Sequence, residues 1–173
     1  MNLPIFTAIN GGVFNLSELD MASISPEQVA HSLSHINRFT GHAGAYSVAQ
    51  HCVLVAELLP PHLKLAGLLH DAHESVIGDI STPVKNLIGS ERLGHIDNAL
   101  LDSLDRLYCV DTRHELVHEA DMTLLSAEAS RFGLDIETPL SSRFDEPMIE
   151  RWSPNKAEVR WLALFYALTG VAR

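Results

Sequence analysis

The sequence lacks the features of a secreted or membrane-spanning protein. No stretch approaches the roughly 18 uninterrupted apolar residues of a transmembrane helix. No basic N-terminal segment precedes an apolar run with a small-residue cleavage site. Cysteine is scarce as well: Cys52 and Cys109 form no C-x-x-C pair, which favours two reduced thiols in a reducing compartment. We therefore expect a cytoplasmic protein without a membrane partner.

Positive charge is also scarce. Lysine and arginine number 12 against 22 acidic residues, so the formal net charge is −10. Such a surface repels a nucleic-acid polymer, which we do not expect as a partner. A small anionic substrate remains compatible if a metal ion and a few Arg or Lys supply local positive charge. The ten histidines are many for 173 residues, and surface positions account for only some of them.

The composition and the apolar spacing predict one all-α domain over residues 1–173. Hydrophobic residues make up 46% and charged residues 20%, as in a globular protein with a core. Gly11-Gly12 and short apolar stretches predict a small hairpin within residues 1–24. Ser25 is a suitable N-cap, with Pro26 at the first helical position and Gln28 completing a capping box. Apolar residues at helical spacing predict helices over about 26–37, 46–59, 63–75, 82–89, 91–108, 113–131 and 154–168. Residues 133–153 are expected to form a loop.

The His70-Asp71 pair is the strongest candidate for chemistry. It directly follows the apolar run 66–69, where burying an imidazole and a carboxylate is costly unless something pairs with them. A divalent cation would offset that cost, with His51 and Asp121 as candidate co-ligands from two other helices. Each of these two, taken singly, is better explained as a core histidine or a helix cap. Together, the nitrogen and oxygen donors suit Zn, Mn, Fe, Co or Ni better than Ca.

The segment after His70-Asp71 adds polar candidates. In a continuous helix Glu74 shares a face with His70, which would place it as a general acid or base. Asp79 follows a glycine turn and would return to the same pocket, and Lys85 begins a short helix. Taken alone, Glu74 and Lys85 are better explained as a solvated helix face. Structural or surface roles are expected for His42, His62, His73, His95, His114 and His118, although His42 and His73 lie close enough in sequence to line a pocket.

These segments together resemble the HD-domain superfamily of metal-dependent phosphohydrolases. The resemblance is closest to bacterial 5′-deoxynucleotidases and to short phage-encoded relatives, which include dATP triphosphohydrolases. It spans residues 38 to 121, about half of the chain, in the family's order. The pattern E-x-x-x-G-D-x-x-T-P-x-K at residues 74–85 makes it specific. The matching segments are Arg38-Phe39, residues 46–51, residues 68–74, residues 78–85 and residues 119–121.

The resemblance implies a compact HD-domain helical bundle and an enzyme with one divalent transition metal. The implied ligands are His51, His70, Asp71 and Asp121. Glu74 would be the catalytic carboxylate that orients or deprotonates the attacking water, and Asp79 would help to hold that water or the phosphate. The implied substrate contacts are Arg38 and Lys85 on the phosphate and Phe39 on the nucleoside. HD nucleotidases often form homo-oligomers, and these relatives act in a bacterial cell or a phage-infected host.

The resemblance leaves the substrate open between two nucleotides. Hydrolysis of a deoxynucleoside monophosphate to nucleoside and phosphate is the first expectation, and release of triphosphate from a dNTP is the second. The deoxynucleotidases carry a Trp where this chain has Phe39, and their connection from the first to the second histidine ligand is longer. Both departures bear on which nucleotide the chain would bind, and neither affects the implied metal ligands. A hypothesis of another class is a non-catalytic nucleotide-binding module, against which Glu74 and Asp79 argue.

Overall fold

Helices form most of the chain, of which the computed structural model describes residues 5–137 and 142–171. The all-α class predicted from the apolar spacing is confirmed. None of the helices in the described part combines the length and the apolar character needed to cross a membrane. The helices are α1 (Pro26–His35), α2 (Val48–Leu58), α3 (Lys64–Leu69), α4 (Glu74–Ile77), α5 (Thr82–Ile88), α6 (Ser90–Tyr108), α7 (Glu115–Phe132) and α8 (Pro154–Thr169).

A short antiparallel hairpin precedes the helices, as predicted for the N-terminal segment; its residues 1–4 lie outside the described part. Strand β1 (Ile5–Thr7) pairs with β2 (Val13–Asn15), and Phe6 stands opposite Phe14. The two rings stack with their centroids 5.4 Å apart, and Phe14 is buried in the helical core. This aromatic pair fixes the hairpin to the bundle.

The predicted capping box at the start of α1 is confirmed. The Ser25 hydroxyl accepts a hydrogen bond from the Gln28 backbone N–H at 3.3 Å, and the Gln28 side chain accepts one from the Ser25 N–H at 2.9 Å. The same Gln28 amide donates to the Ile9 carbonyl at 2.8 Å, which joins the hairpin to the helix. Caps of this kind contribute about 1 kcal/mol each.

Helix α2 lies at the centre of the bundle and packs against α1, α3, α7 and α8. Every residue from Val48 to Ala56 is buried, so the helix has no solvent-facing side over this stretch. Its apolar residues contribute to two clusters, one containing Trp161 and the other containing Leu124. A polar side chain in the middle of α2 must therefore find its partners inside the protein.

The structure corrects the predicted continuous helix over residues 63–75. Helix α3 ends at Leu69, and the chain passes through a turn at residues 70–73 before α4 begins. Across this turn the backbone bonds span three residues instead of four, as from the Ala72 N–H to the Leu69 carbonyl at 2.9 Å. Such tightened turns interrupt an α-helix locally. His70 and Glu74 consequently do not share one continuous helical face.

The segment between α7 and α8 contains no helix or strand in its described residues, 134–137 and 142–153, as predicted for a loop. Residues 138–141 of that predicted loop lie outside the described part. The buried side chain of Gln50 fixes the end of the loop, because it donates to the Glu150 carbonyl and accepts from the Trp152 N–H at 2.9 Å.

Candidate metal centre

Three separate elements bring four donor side chains to one point. His51 comes from α2, His70 and Asp71 from the turn after α3, and Asp121 from α7. Nε2 of His51 lies 3.3 Å from Nε2 of His70, 3.6 Å from Oδ2 of Asp71 and 3.1 Å from Oδ1 of Asp121. Nε2 of His70 lies 3.2 Å from the Asp71 oxygen and 4.0 Å from the Asp121 oxygen. The four predicted ligands are thus neighbours in space.

These separations fit a single ion. Bonds from a transition metal to imidazole nitrogen or carboxylate oxygen are about 2.0–2.2 Å, so donors on one ion stand at most roughly 4.4 Å apart. The separations given for the four atoms do not exceed 4.0 Å. His51, His70 and Asp121 therefore form a group able to hold a metal ion.

The hydrogen bonds of the two imidazoles orient their free nitrogens toward this centre. Nδ1 of His51 lies 2.7 Å from Oε1 of Glu128, and Nδ1 of His70 lies 2.7 Å from the Gly67 carbonyl. Both partners act as acceptors, so each Nδ1 carries a proton, and in the neutral ring that binds a metal each Nε2 offers its lone pair. Metal-binding histidines are commonly fixed in this way by a carboxylate or a carbonyl.

Glu128 is a side chain of this centre that sequence reasoning missed. It is completely buried on α7 and binds both His51 and Arg38, with 3.1 Å between its Oε2 and Nη2 of Arg38. A sequence signal existed, because Glu128 follows Asp121 by seven residues and so lies two turns along the same face of the helix. A carboxylate at that spacing, within a largely apolar stretch, is typical of a buried polar site.

Arg38 is held beside the ligands. Besides its bond to Glu128, its Nη1 lies 3.5 Å from Oδ2 of Asp71, and its side chain is 12% exposed. Its Nε is buried and has no hydrogen-bond partner among the described residues. Arg38 thus orients two acidic groups of the centre, and its contact with phosphate stays a prediction.

The charges around the centre favour a bound cation. Burial would lower the pKa of both imidazoles, and the charge of Arg38 would lower the pKa of His51 further. The Glu128 and Asp121 carboxylates outweigh these effects and raise the pKa of His51 to about 9. Asp71 likewise raises the pKa of His70 against the effect of burial. The carboxylates therefore stabilise positive charge at this point, and a bound divalent ion would supply that charge.

Cys52 is a further donor near the centre, with its sulfur within 4.8 Å of ligand atoms of His70 and Asp71. Burial and the charges of Asp71 and Glu74 raise the pKa of the Cys52 thiol well above its usual value. A protonated thiol is a poor ligand. The two histidines and two aspartates are the more suitable set.

Glu74 and Asp79, predicted to handle water and phosphate, lie within electrostatic reach of the centre. Glu74 is 6% exposed, and its Oε2 has no hydrogen-bond partner among the described residues. Burial and the charges of Asp71 and Asp79 raise the pKa of Glu74 well above its usual value. Burial also raises the pKa of Asp79. An acceptor without a partner beside a cation site is suitable for binding a water molecule or a substrate oxygen.

A cavity of about 420 Å³ adjoins the centre. Lys85 forms part of its wall, and its Nζ lies 3.0 Å from Oδ2 of Asp97 on α6. His73, for which a surface or structural role was expected, is buried in the same wall, 4.0 Å from Asp97. The lining residues are His70, Asp71, His73, Lys85, Gly94, Asp97, Asn98, Leu101, Thr112, Arg113, Val117, His118 and Asp121.

Phe39 lies next to Arg38, whose guanidinium stands 5.3 Å from the centroid of the Phe39 ring. The ring is half-buried and packs against the cluster that contains Tyr46. Its backbone has φ of +56°, a conformation rare for a residue with a side chain. The predicted contact of Phe39 with a nucleoside stays a prediction.

Comparison with known proteins identifies relatives of the chain. No family model matches it. The Escherichia coli (strain K12) protein described as "Uncharacterized protein YfdR" is 34% identical over 135 residues, which cover 77% of this chain and 75% of YfdR. A Rhodobacter capsulatus protein described as "Uncharacterized protein RCAP_rcc00048" is 40% identical over 91 residues, which cover 47% of this chain and 46% of that protein.

Proposed function

The chain belongs to the family of the E. coli protein YfdR, and we propose that it is an HD-domain phosphohydrolase that hydrolyses deoxynucleoside 5′-phosphates. The observation that carries the proposal is the convergence of His51, His70, Asp71 and Asp121, with both Nε2 lone pairs directed at one centre. The E-x-x-x-G-D-x-x-T-P-x-K pattern adds support, because its two acidic residues interact electrostatically with Asp71 and its lysine lines the adjoining cavity.

The four convergent residues would hold one divalent transition metal of the Zn, Mn, Fe, Co or Ni class. A set of two nitrogen and two oxygen donors suits these ions better than it suits Ca²⁺ or Mg²⁺. Such an ion supplies Lewis acidity toward a phosphate oxygen and lowers the pKa of water to about 7. Glu128 and the Gly67 carbonyl keep the imidazoles in the tautomer that this requires.

The neighbouring carboxylates would manage the proton of the attacking water. Glu74 offers a buried acceptor oxygen that has no hydrogen-bond partner within the described part of the chain and that would receive that proton. Burial and the charges of Asp71 and Asp79 raise its pKa, which makes the carboxylate a stronger base. Asp79 would hold the water or the phosphate in place beside it.

Lys85 would stabilise charge on the phosphate from the cavity wall. The chain carries a net charge of −10, so a substrate phosphate depends on local cations. Lys85 is paired with Asp97, which fixes its ammonium group at the edge of the cavity next to the metal ligands. A phosphate bound there would meet both the ion and the ammonium group.

The same cavity supports a second substrate. Arg113 and His118 line it together with Lys85, and a longer polyphosphate would meet the additional guanidinium and imidazole groups. Hydrolysis at the α-phosphorus of a dNTP would then release triphosphate. A deoxynucleoside monophosphate nevertheless remains the first choice, on the resemblance to 5′-deoxynucleotidases.

A panel of dNMPs and dNTPs with Mn²⁺ or Co²⁺ tests the proposal, with phosphate and triphosphate measured separately. Phosphate release from at least one dNMP is the expected result. Triphosphate release from a dNTP without any dNMP turnover would favour the second substrate. Metal-dependent nucleotide binding without turnover of any member would reject the enzyme and favour a non-catalytic nucleotide-binding module.

A further inference from the structure

A second group of potential metal ligands lies outside the centre described above, where α1 packs against α8. It consists of His31 and His35 on α1 and Glu158 on α8. Each offers one ligand atom, and the three atoms lie within 4.8 Å of one another. One ion bound by all three atoms would hold them within roughly 4.4 Å of one another.

The two histidines face the same side of α1. They are separated by four residues, and their ring centroids are 4.5 Å apart. From the adjoining helix, Oε2 of Glu158 lies 3.2 Å from Nδ1 of His31. The side chains of His31 and Glu158 are 37% and 28% exposed, so an ion can reach them from solvent.

The orientation of His35 points to a ligand. Its Nδ1 lies 2.9 Å from the backbone carbonyl of His31, which can only accept, so this nitrogen carries the proton. Nε2 of the neutral ring then keeps its lone pair for another partner. His70 is held in the same way by the Gly67 carbonyl at the central site. The hydroxyl of Ser34, 3.0 Å from Nδ1 of His35, also holds the ring, so Nδ1 is fully occupied and Nε2 is the nitrogen that stays available to an ion.

We propose that His31, His35 and Glu158 form a second, surface site for a divalent transition metal. Two imidazoles and one carboxylate suit Zn²⁺ and its neighbours in the transition series, with water completing the coordination. Since the ligands belong to two helices, the bound ion would fasten α8 to α1. This inference does not depend on the proposed catalytic function.

Calorimetric titration with Zn²⁺ tests the site. The metal content of the protein is determined before the titration. We expect one further equivalent of Zn²⁺ beyond the central site in the unmodified protein. His35→Ala should weaken this additional binding by about tenfold or more, since even the loss of a residue that only orients a ligand costs that much. The matched control is His62→Ala, which removes an exposed histidine between α2 and α3. This variant should still bind the additional equivalent of Zn²⁺.

Glu158→Gln supplies a variant that keeps the size of the side chain and removes its charge. Zn²⁺ should raise the midpoint of thermal unfolding less in His35→Ala and in Glu158→Gln than in the His62→Ala control, because ligands that bind the native state stabilise it. Circular dichroism checks that all three variants fold. The absence of an additional Zn²⁺ equivalent in the unmodified protein, or equal additional binding by His35→Ala, would overturn the proposal.

Discussion

Nδ1 of His51 lies 2.7 Å from Oε1 of Glu128, and both side chains are completely buried. This contact determines which nitrogen of His51 faces the metal centre. Glu128 also binds Arg38, which in turn contacts Asp71. One buried carboxylate therefore connects the orientation of a histidine ligand with that of an aspartate ligand.

Replacing Glu128 should weaken metal binding although Glu128 is not itself a predicted ligand. Glu128→Gln removes the charge, and its amide can donate as well as accept, so His51 is no longer held in one tautomer. We expect a loss of metal affinity of about 10- to 100-fold, measured by competition with a chelator. Glu115→Gln is the control, since Glu115 is exposed in the first turn of the same helix. Equal affinities for the two variants would contradict the role given to Glu128.

Removing a predicted ligand of the central site should abolish the stabilisation that comes from metal bound at that site. For the unmodified protein, adding Mn²⁺ or Co²⁺ after chelation should raise the midpoint of thermal unfolding. At a metal concentration of about 100 times the dissociation constant the gain is about 2.7 kcal/mol. Asp121→Asn should lose this gain, while Asp135→Asn, on an exposed loop residue, should keep it. A full metal-dependent shift in Asp121→Asn would exclude Asp121 as a ligand.

Glu74→Gln should separate metal binding from turnover. The substitution preserves the size of the side chain and removes the acceptor proposed to take the proton from water. We expect kcat to fall by about 10²- to 10⁴-fold, with metal content and KM close to those of the unmodified protein. Steady-state kinetics with a dNMP and metal analysis of the same sample provide the measurement. Unchanged kcat would show that another group handles the proton.

A stability prediction concerns the junction between the N-terminal segment and α6. The buried hydroxyl of Ser103 accepts from the Met21 N–H at 2.9 Å and donates to Oδ1 of Asp20 at 2.8 Å. Ser103→Ala leaves the Met21 N–H without a partner and should lower the free energy of unfolding by about 1–3 kcal/mol. Urea unfolding measures the loss. Ser17→Ala, at an exposed position, should change it by less than about 0.5 kcal/mol.

Local sequence signals predicted the elements in which neighbouring residues suffice. The capping box of Ser25 and Gln28 and the hairpin around Gly11-Gly12 depend on contacts within a few residues, and both are present in the structure. The break after α3 was not predicted. Ala72 continues the helical spacing of Leu65 and Leu68 beyond the break, and apolar spacing does not distinguish an α-helical turn from the tighter turns found there.

The sequence by itself determined the helical class, because apolar spacing is a local pattern, and it singled out His70-Asp71 as a polar pair directly after an apolar run. The resemblance to HD-domain phosphohydrolases completed the set of candidate ligands with His51 and Asp121. Only the tertiary structure decided what surrounds those ligands. Glu128 is 77 residues from His51 in the chain, and Glu158 is 127 residues from His31. Burial makes the first contact strong, since a carboxylate without water must find a partner inside the protein. Such partners depend on how α2, α7, α1 and α8 pack, which no spacing along one helix reveals.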